Sequence, residues 1–198
     1  MVSVGAGPTG LTLAIRLKQA GIDHLLIDRL AAGQNLSRAG VIHAHTLEML
    51  EPLGVVPPML AEGMALTRFA VRDRRHQLLA IDFAGLPSRY PFVLMLPQDV
   101  TERILSERLT ALGGTVHRGV EAVDIPQAVD GATVRVATPE GERSIRAHYV
   151  VGGDGMHSRV RAASDIAFEG SSYEESFVLA DVSFDVPPRA DEVALYFS

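Results

Sequence analysis

The 198-residue sequence contains no cysteine. Disulfides, thiolate chemistry and cysteine-ligated zinc are therefore excluded. It also lacks any apolar run near the roughly 20 residues that a membrane span needs. The N-terminal stretch MVSVGAGPTGLTLAIRLKQAG is broken by Gly5, Gly7, Pro8 and Gly10, and no basic segment precedes its apolar residues. It does not read as a signal peptide, and a soluble cytoplasmic protein is expected. Positive charge is scarce too. The net charge of −6 gives no electrostatic reason to expect nucleic acid or an anionic membrane as partner. No serine sits in a G-x-S-x-G elbow, which removes the common hydrolase signature. His43 and His45 diverge on a helix with no carboxylate at ligand spacing, so no metal site is expected.

What remains is an ordinary globular composition. Hydrophobic residues make up 47% and charged residues 21%, enough to build a core where a disordered chain could not. The length suits one good-sized domain, or one domain and part of another. No internal repeat or low-complexity tract interrupts it.

The first 28 residues carry the clearest signal. Val2–Val4 reads as a short buried strand, Leu11–Ala20 as a helix ending at Gly21, and Leu25–Asp28 as a second strand. A strand–helix–strand crossover implies parallel strands. Between the first strand and the helix lies Gly5-Ala6-Gly7-Pro8-Thr9-Gly10, a G-x-G-x-x-G turn in the context the motif requires. The first glycine permits a tight turn, the second lets the backbone approach a pyrophosphate, and the third lets helix and strand pack closely. The helix N-terminus offers free N–H groups and partial positive charge to phosphate oxygens. Asp28 stands 18 residues after Gly10, near the spacing of about 20 at which an acidic residue holds a ribose hydroxyl. Arg29 follows it directly. These features point to a dinucleotide site and leave FAD and NAD both open.

Further along, His45–Leu53 is expected to be helical and to stop at Gly54. Ala65–Arg72 and Gln77–Phe83 read as strands around the polar turn Asp73–Arg75, and Phe92–Leu96 as another. Asp99 with Glu102 forms a capping-box-like start for a helix that runs to about Leu112. Short strands follow at 115–117, 119–125, 133–138 and 142–147, with a hairpin turn at Asp130–Gly131. Tyr149–Val151 is a buried strand leading into Gly152–Gly153. Strand patterns return over Tyr173–Val186 and Val193–Phe197.

Three segments turn this pattern into a family resemblance. Ser37-Arg38-Ala39, with His45-Thr46-Leu47-Glu48-Met49-Leu50 and Leu53-Gly54, is the first. Leu96-Pro97-Gln98-Asp99 at the head of a helix is the second. Gly153-Asp154-Gly155-Met156-His157-Ser158-Arg159-Val160-Arg161 is the third and the most specific. Together with the glycine turn they resemble the class A flavoprotein monooxygenases, the para-hydroxybenzoate hydroxylase-like family. The resemblance spans nearly the whole chain and implies an α/β, Rossmann-like FAD-binding domain with β-rich insertions and the start of a β-sheet substrate domain. Residues 1–64 and 92–170 would form the FAD-binding domain, and 65–91 and 171–198 partial substrate-domain strands.

By the same resemblance, FAD is held by Gly5, Gly7, Pro8, Thr9, Gly10, Asp28, Arg29, Arg38, Gln98, Asp154 and Gly155. Arg38 would lie beside the flavin and its ribityl-phosphate chain, and Gln98 by the ribityl or ribose region. NAD(P)H would supply electrons, and the acceptor of oxygen would be a small aromatic, phenolic or polyketide-like substrate. No residue here is expected to act as an acid–base catalyst. Ser158 is placed to cap a short helix and Arg161 to brace the loop. Asp165 stands where the family has a glycine, and His157 is expected at the surface. The family's second-half Gly-Asp segment is absent from these residues. The expectation is therefore a fragment that encloses the isoalloxazine poorly and whose exposed apolar surface favours a homo-oligomer. Another FAD-dependent oxidoreductase of the same fold, or a non-catalytic FAD-binding module, are the alternatives. A flavin halogenase is disfavoured because the chain has no tryptophan for its G-W-x-W-x-I-P signature.

Overall fold

The computed structural model describes residues 1–33, 40–171, 185 and 191–197. Strand β1 (Val2–Val4) leads through the glycine turn into helix α1 (Pro8–Gln19), which returns to β2 (Leu25–Asp28). The helix starts earlier than its apolar periodicity suggests. Gly7 is its N-cap and Pro8 its first residue, a position where the missing N–H costs nothing and the fixed φ is already helical. After β3 (Val41–Ile42) come α2 (Ala44–Leu50) and a 3-10 turn over Glu51–Leu53. Gly54 closes that turn at φ +76°.

Helix α3 (Val56–Glu62) has no counterpart in the sequence reading. Pro57 and Pro58 look like breakers, yet they fall in the first turn, where proline is tolerated. The expected strand over 65–72 is two strands, β4 (Met64–Leu66) and β5 (Arg68–Arg72). Between them the Thr67 N–H turns to the Asp191 carbonyl at 3.1 Å. Next come β6 (Gln77–Asp82), β7 (Val93–Met95) and α4 (Gln98–Ala111). Pro97 is the N-cap of α4, and no side chain caps it. Instead of closing a capping box with Asp99, Glu102 accepts a hydrogen bond from Gln98 Nε2 at 2.8 Å.

Five strands follow: β8 (Val116–Arg118), β9 (Glu121–Asp124), β10 (Gln127–Ala128), β11 (Gly131–Thr138) and β12 (Gly141–Ala147). The turn expected at Asp130–Gly131 is displaced by one residue. Ala128 pairs with Gly131, so Val129 and Asp130 make the connection. Strand β13 (Val150–Gly152), the short helix α5 (Arg159–Ala163) and β14 (Glu192–Tyr196) complete the described elements. The expected strand at 173–186 lies outside the described residues apart from Asp185.

The central sheet is parallel, in the order β13-β1-β2-β8. Its two faces differ. Leu26 packs with Leu11 and Ile15 of α1, Leu47 of α2 and Leu105 and Leu109 of α4. Val2, Val4 and Ile27 pack with Val134 and Val136 of β11 on the other side. Period-2 alternation in β1 and β2 sends neighbouring residues to opposite cores, as a sheet covered on both faces requires. A four-stranded antiparallel sheet, β10-β11-β12 with β9 also on β11, a three-stranded sheet, β14-β5-β6, and a small antiparallel one, β3-β7-β4, complete the topology. Among the described residues no helix is long and apolar enough to cross a membrane.

Candidate functional site

All four parallel strands end at one side of the sheet, where β1, β2, β8 and β13 deliver Gly5, Asp28, Arg118 and Gly153. Ligands of open α/β sheets bind at such carboxyl ends, and a cleft of about 620 Å³ opens there.

The glycine turn is built by close backbone contact. Gly5 sits at φ +97°, a conformation that glycine adopts without penalty. A Cβ on Gly5 would overlap the Gly153 carbonyl, and a Cβ on Gly10 would overlap the Gly5 carbonyl oxygen. Gly7 differs, because a Cβ there would meet nothing within 4 Å. Its bareness serves no internal packing and leaves the backbone open to the cleft. The first helical bond runs from Leu11 N to Gly7 O at 3.0 Å, so the N–H groups ahead of it are left unclaimed by the helix. The first turn holds no acidic side chain that would compete with an anion for them.

Asp28 is buried, at 9% exposure. Its Oδ2 accepts the Ala6 N–H at 2.6 Å and its Oδ1 the Leu30 N–H at 2.8 Å. The carboxylate thus ties the glycine turn to the end of β2, a bracing role that spacing alone did not reveal. It also lines the cleft, and an ionised carboxylate has lone pairs to spare beyond two such bonds. Arg118 approaches to 3.9 Å.

The Asp-Gly loop seals the far side. Gly153 N donates to Val4 O at 2.7 Å, bringing the loop against the glycine turn. Asp154 accepts from Ser158 Oγ at 2.6 Å, from Arg159 N at 2.6 Å and from Val160 N at 3.3 Å. Its carboxylate is therefore engaged at the head of α5. Ser158 caps α5 through Arg161 N at 3.0 Å, and Arg161 Nη1 braces Met156 O at 3.0 Å. The Arg161 guanidinium also lies over the Phe168 ring, 4.2 Å from its centroid. Gly155 has φ +79°. Asp165 takes a left-handed φ of +53°, which Asp tolerates better than most residues.

Gly5, Gly7, Pro8, Thr9, Asp28, Arg29, Gln98, Asp154 and Gly155 all line this one cleft. Gly10 lies beneath it as packing, and Arg29 is exposed at its rim. Arg38 lies outside the described residues. Exposed His157 is at the mouth. Sequence motifs missed Arg118, Val120 and Ala122, which form a further wall. The signal that finds Arg118 is topological: it is the last residue of a parallel strand and pairs in register with Asp28. Free helix N–H groups, an open Gly7 backbone and a carboxylate beyond them match a pyrophosphate joined to a ribose. The residues therefore fit a dinucleotide such as FAD. Among the described residues no group of His, Asp and Glu is placed to hold a metal ion.

Comparison with known proteins agrees with this geometry. A family model described as an FAD binding domain matches residues 2–197. The chain is 37% identical over 186 residues to a 12-dehydrotetracycline 5-monooxygenase/anhydrotetracycline 6-monooxygenase of Streptomyces rimosus, covering 93% of this chain and 36% of that protein. It is 33% identical over 198 residues to the pentachlorophenol 4-monooxygenase of Sphingobium chlorophenolicum, covering 98% of this chain and 37% of that protein. A crystal structure of a p-nitrophenol 4-monooxygenase from Pseudomonas putida superposes with a TM-score of 0.83 at 27% identity, covering 87% of this chain and 45% of the other. The chain thus spans little more than a third of the length of these curated relatives.

Proposed function

The chain belongs to the FAD binding domain family, and from that premise we propose that it is the flavin-holding portion of an NAD(P)H-dependent monooxygenase acting on a small aromatic compound, phenolic or polyketide-like. The observation that carries the reading is the convergence of the glycine turn, Asp28 and the Asp-Gly loop on one cleft. Bound FAD would supply the redox and oxygen chemistry. The residues described here bind and orient it. The α1 N-terminus and Gly7 backbone take the pyrophosphate, and Asp28 the adenosine ribose, with Arg29 at the rim. Gln98 and Gly155 flank the ribityl side, while Asp154 acts there by holding the loop in shape. The β14-β5-β6 sheet stands apart from the parallel sheet, which supports assigning 65–91 and 171–198 to a substrate domain. A cytoplasmic location belongs to the same reading, since nicotinamide donors are found there.

The test is titration of the purified chain with FAD, followed by flavin absorbance and fluorescence, beside Gly7→Val. A Cβ at Gly7 meets no protein atom within 4 Å and φ there is an ordinary −75°, so the variant is expected to fold, which its ligand-free melting temperature checks, and to obstruct the ligand. Saturable binding by the parent and its loss in Gly7→Val are expected. Absence of binding in the parent, or equal binding in both, would sink the proposal.

A further inference from the structure

Strand β6 ends the sheet β14-β5-β6, and all six of its residues are exposed. The Phe83 N–H donates to the Thr67 carbonyl at 2.8 Å, on the β5 side. Along an antiparallel strand, alternate residues turn their N–H and C=O groups to opposite sides. Ile81 and Leu79, in register with Phe69 and Val71, therefore face their backbone groups to β5. Ala80 and Asp82 face theirs outward, where no strand meets them among the described residues.

Exposed edges are ordinarily blunted by charge, proline or a short strand. Strand β12, also at a sheet edge, carries Glu142, Arg143 and Arg146. Strand β6 carries no charge between Gln77 and Asp82, and Leu79 and Ile81 are 48% and 41% exposed. Its charges collect at the two ends instead. Arg74 and Arg75 precede it and Asp82 closes it. Neither arginine side chain has a partner among the described residues.

An antiparallel neighbour satisfies both features, and the strand can be its own neighbour. A two-fold axis normal to the sheet reverses strand direction and preserves the faces. It pairs the outward backbone groups of one β6 with those of a second. It also sets the Arg74–Arg75 end of each copy beside Asp82 of the other, whereas a parallel pairing would put like charges together. The register aligns Val193, Phe69 and Ile81 in one apolar row and Leu195, Val71 and Leu79 in the next, and both rows continue across the axis.

We propose that β6 is the interface of a two-fold dimer, in which two copies of this chain join edge to edge into one six-stranded sheet. A single pair of strands buries little surface, at the low end of specific interfaces, so monomer and dimer interconvert with concentration.

Sedimentation velocity over a range of concentrations is measured for the parent, Ala80→Pro and the double variant Arg74→Glu/Arg75→Glu, with melting temperatures as folding controls. Proline at 80 removes an N–H that the monomer leaves unused, and the glutamates turn attraction at the strand ends into repulsion. The parent should dimerise, and each variant should raise the dissociation constant roughly tenfold or more at the parent's melting temperature. Because the chain has no cysteine, Ala80→Cys carries a single thiol. A short bis-maleimide should link it into a dimer and should leave Val129→Cys, on an exposed turn of another sheet, unlinked. That cross-link decides the matter if Ala80→Pro fails to fold. A parent that stays monomeric, species larger than a dimer, parent-like dimerisation by either folded variant, or equal linking at positions 80 and 129 would each overturn the proposal.

Discussion

Asp28 Oδ2 accepts the Ala6 N–H at 2.6 Å, so the residue whose spacing marks it as a ribose contact also holds the phosphate-binding turn in place. Function and folding are coupled at this carboxylate. Asp28→Asn replaces one acceptor oxygen by an NH2 group that must face a backbone N–H. The expected cost is about 1–3 kcal/mol of stability in the ligand-free chain, measured by urea denaturation. Weaker FAD binding with unchanged stability would show that the brace is dispensable.

The three glycines of the turn should separate by mechanism. Gly10→Ala drives a methyl into the Gly5 carbonyl oxygen and should destabilise by on the order of 3 kcal/mol. Gly7→Ala adds a methyl where nothing lies within 4 Å, and its stability should stay within about 0.5 kcal/mol of the parent. Thermal unfolding of the two ligand-free variants checks this; equal losses would contradict the packing described.

Ser3 is wholly buried, and its Oγ has no hydrogen-bond partner among the described residues. It pairs in register with Leu26 and shares that residue's apolar face. A buried hydroxyl without a partner carries a desolvation penalty of about 1–3 kcal/mol. Ser3→Ala should therefore stabilise the chain by about 1 kcal/mol, a rise in melting temperature of about 2–4 °C for a protein of this size. A lower melting temperature would mean that the hydroxyl has a partner after all.

Asp154 and Ser158 together satisfy the first N–H groups of α5. Asp154→Ala should cost about 1–2 kcal/mol locally, read as faster amide exchange at Arg159 and Val160 before any change in the parallel sheet. Uniform exchange across the chain would argue that α5 is not an independent unit.

At the β5–β6 turn, the backbone N–H groups of Arg75 and His76 both donate to Asp73, lowering its carboxyl pKa from the ordinary value. A depressed folded-state value means that the stabilisation is present above the unfolded value and is lost as pH falls through the folded one. An NMR titration of Asp73 should show it ionised to lower pH than an aspartate in an unstructured peptide. A titration at the ordinary value would exclude these bonds.

The local parts of this fold were legible in the chain itself. Gly5, Gly7 and Gly10 between a strand and a helix, Ser158 at the head of α5 and Gly54 after α2 are short-range solutions to backbone geometry, so residue type and spacing suffice to find them. Helix α3 was hidden because Pro57 and Pro58 are ambiguous until their place in the first turn is known. Neither the break at Thr67 nor the capture of Glu102 by Gln98 was visible, because each depends on competition among partners. Tertiary structure alone decided how the site is assembled. It brought Gly153 against Gly5, turned Asp28 onto Ala6, and set Arg118 beside Asp28 across two parallel strands. Those contacts join residues that only the sheet order makes neighbours, and no local spacing in the sequence encodes that order.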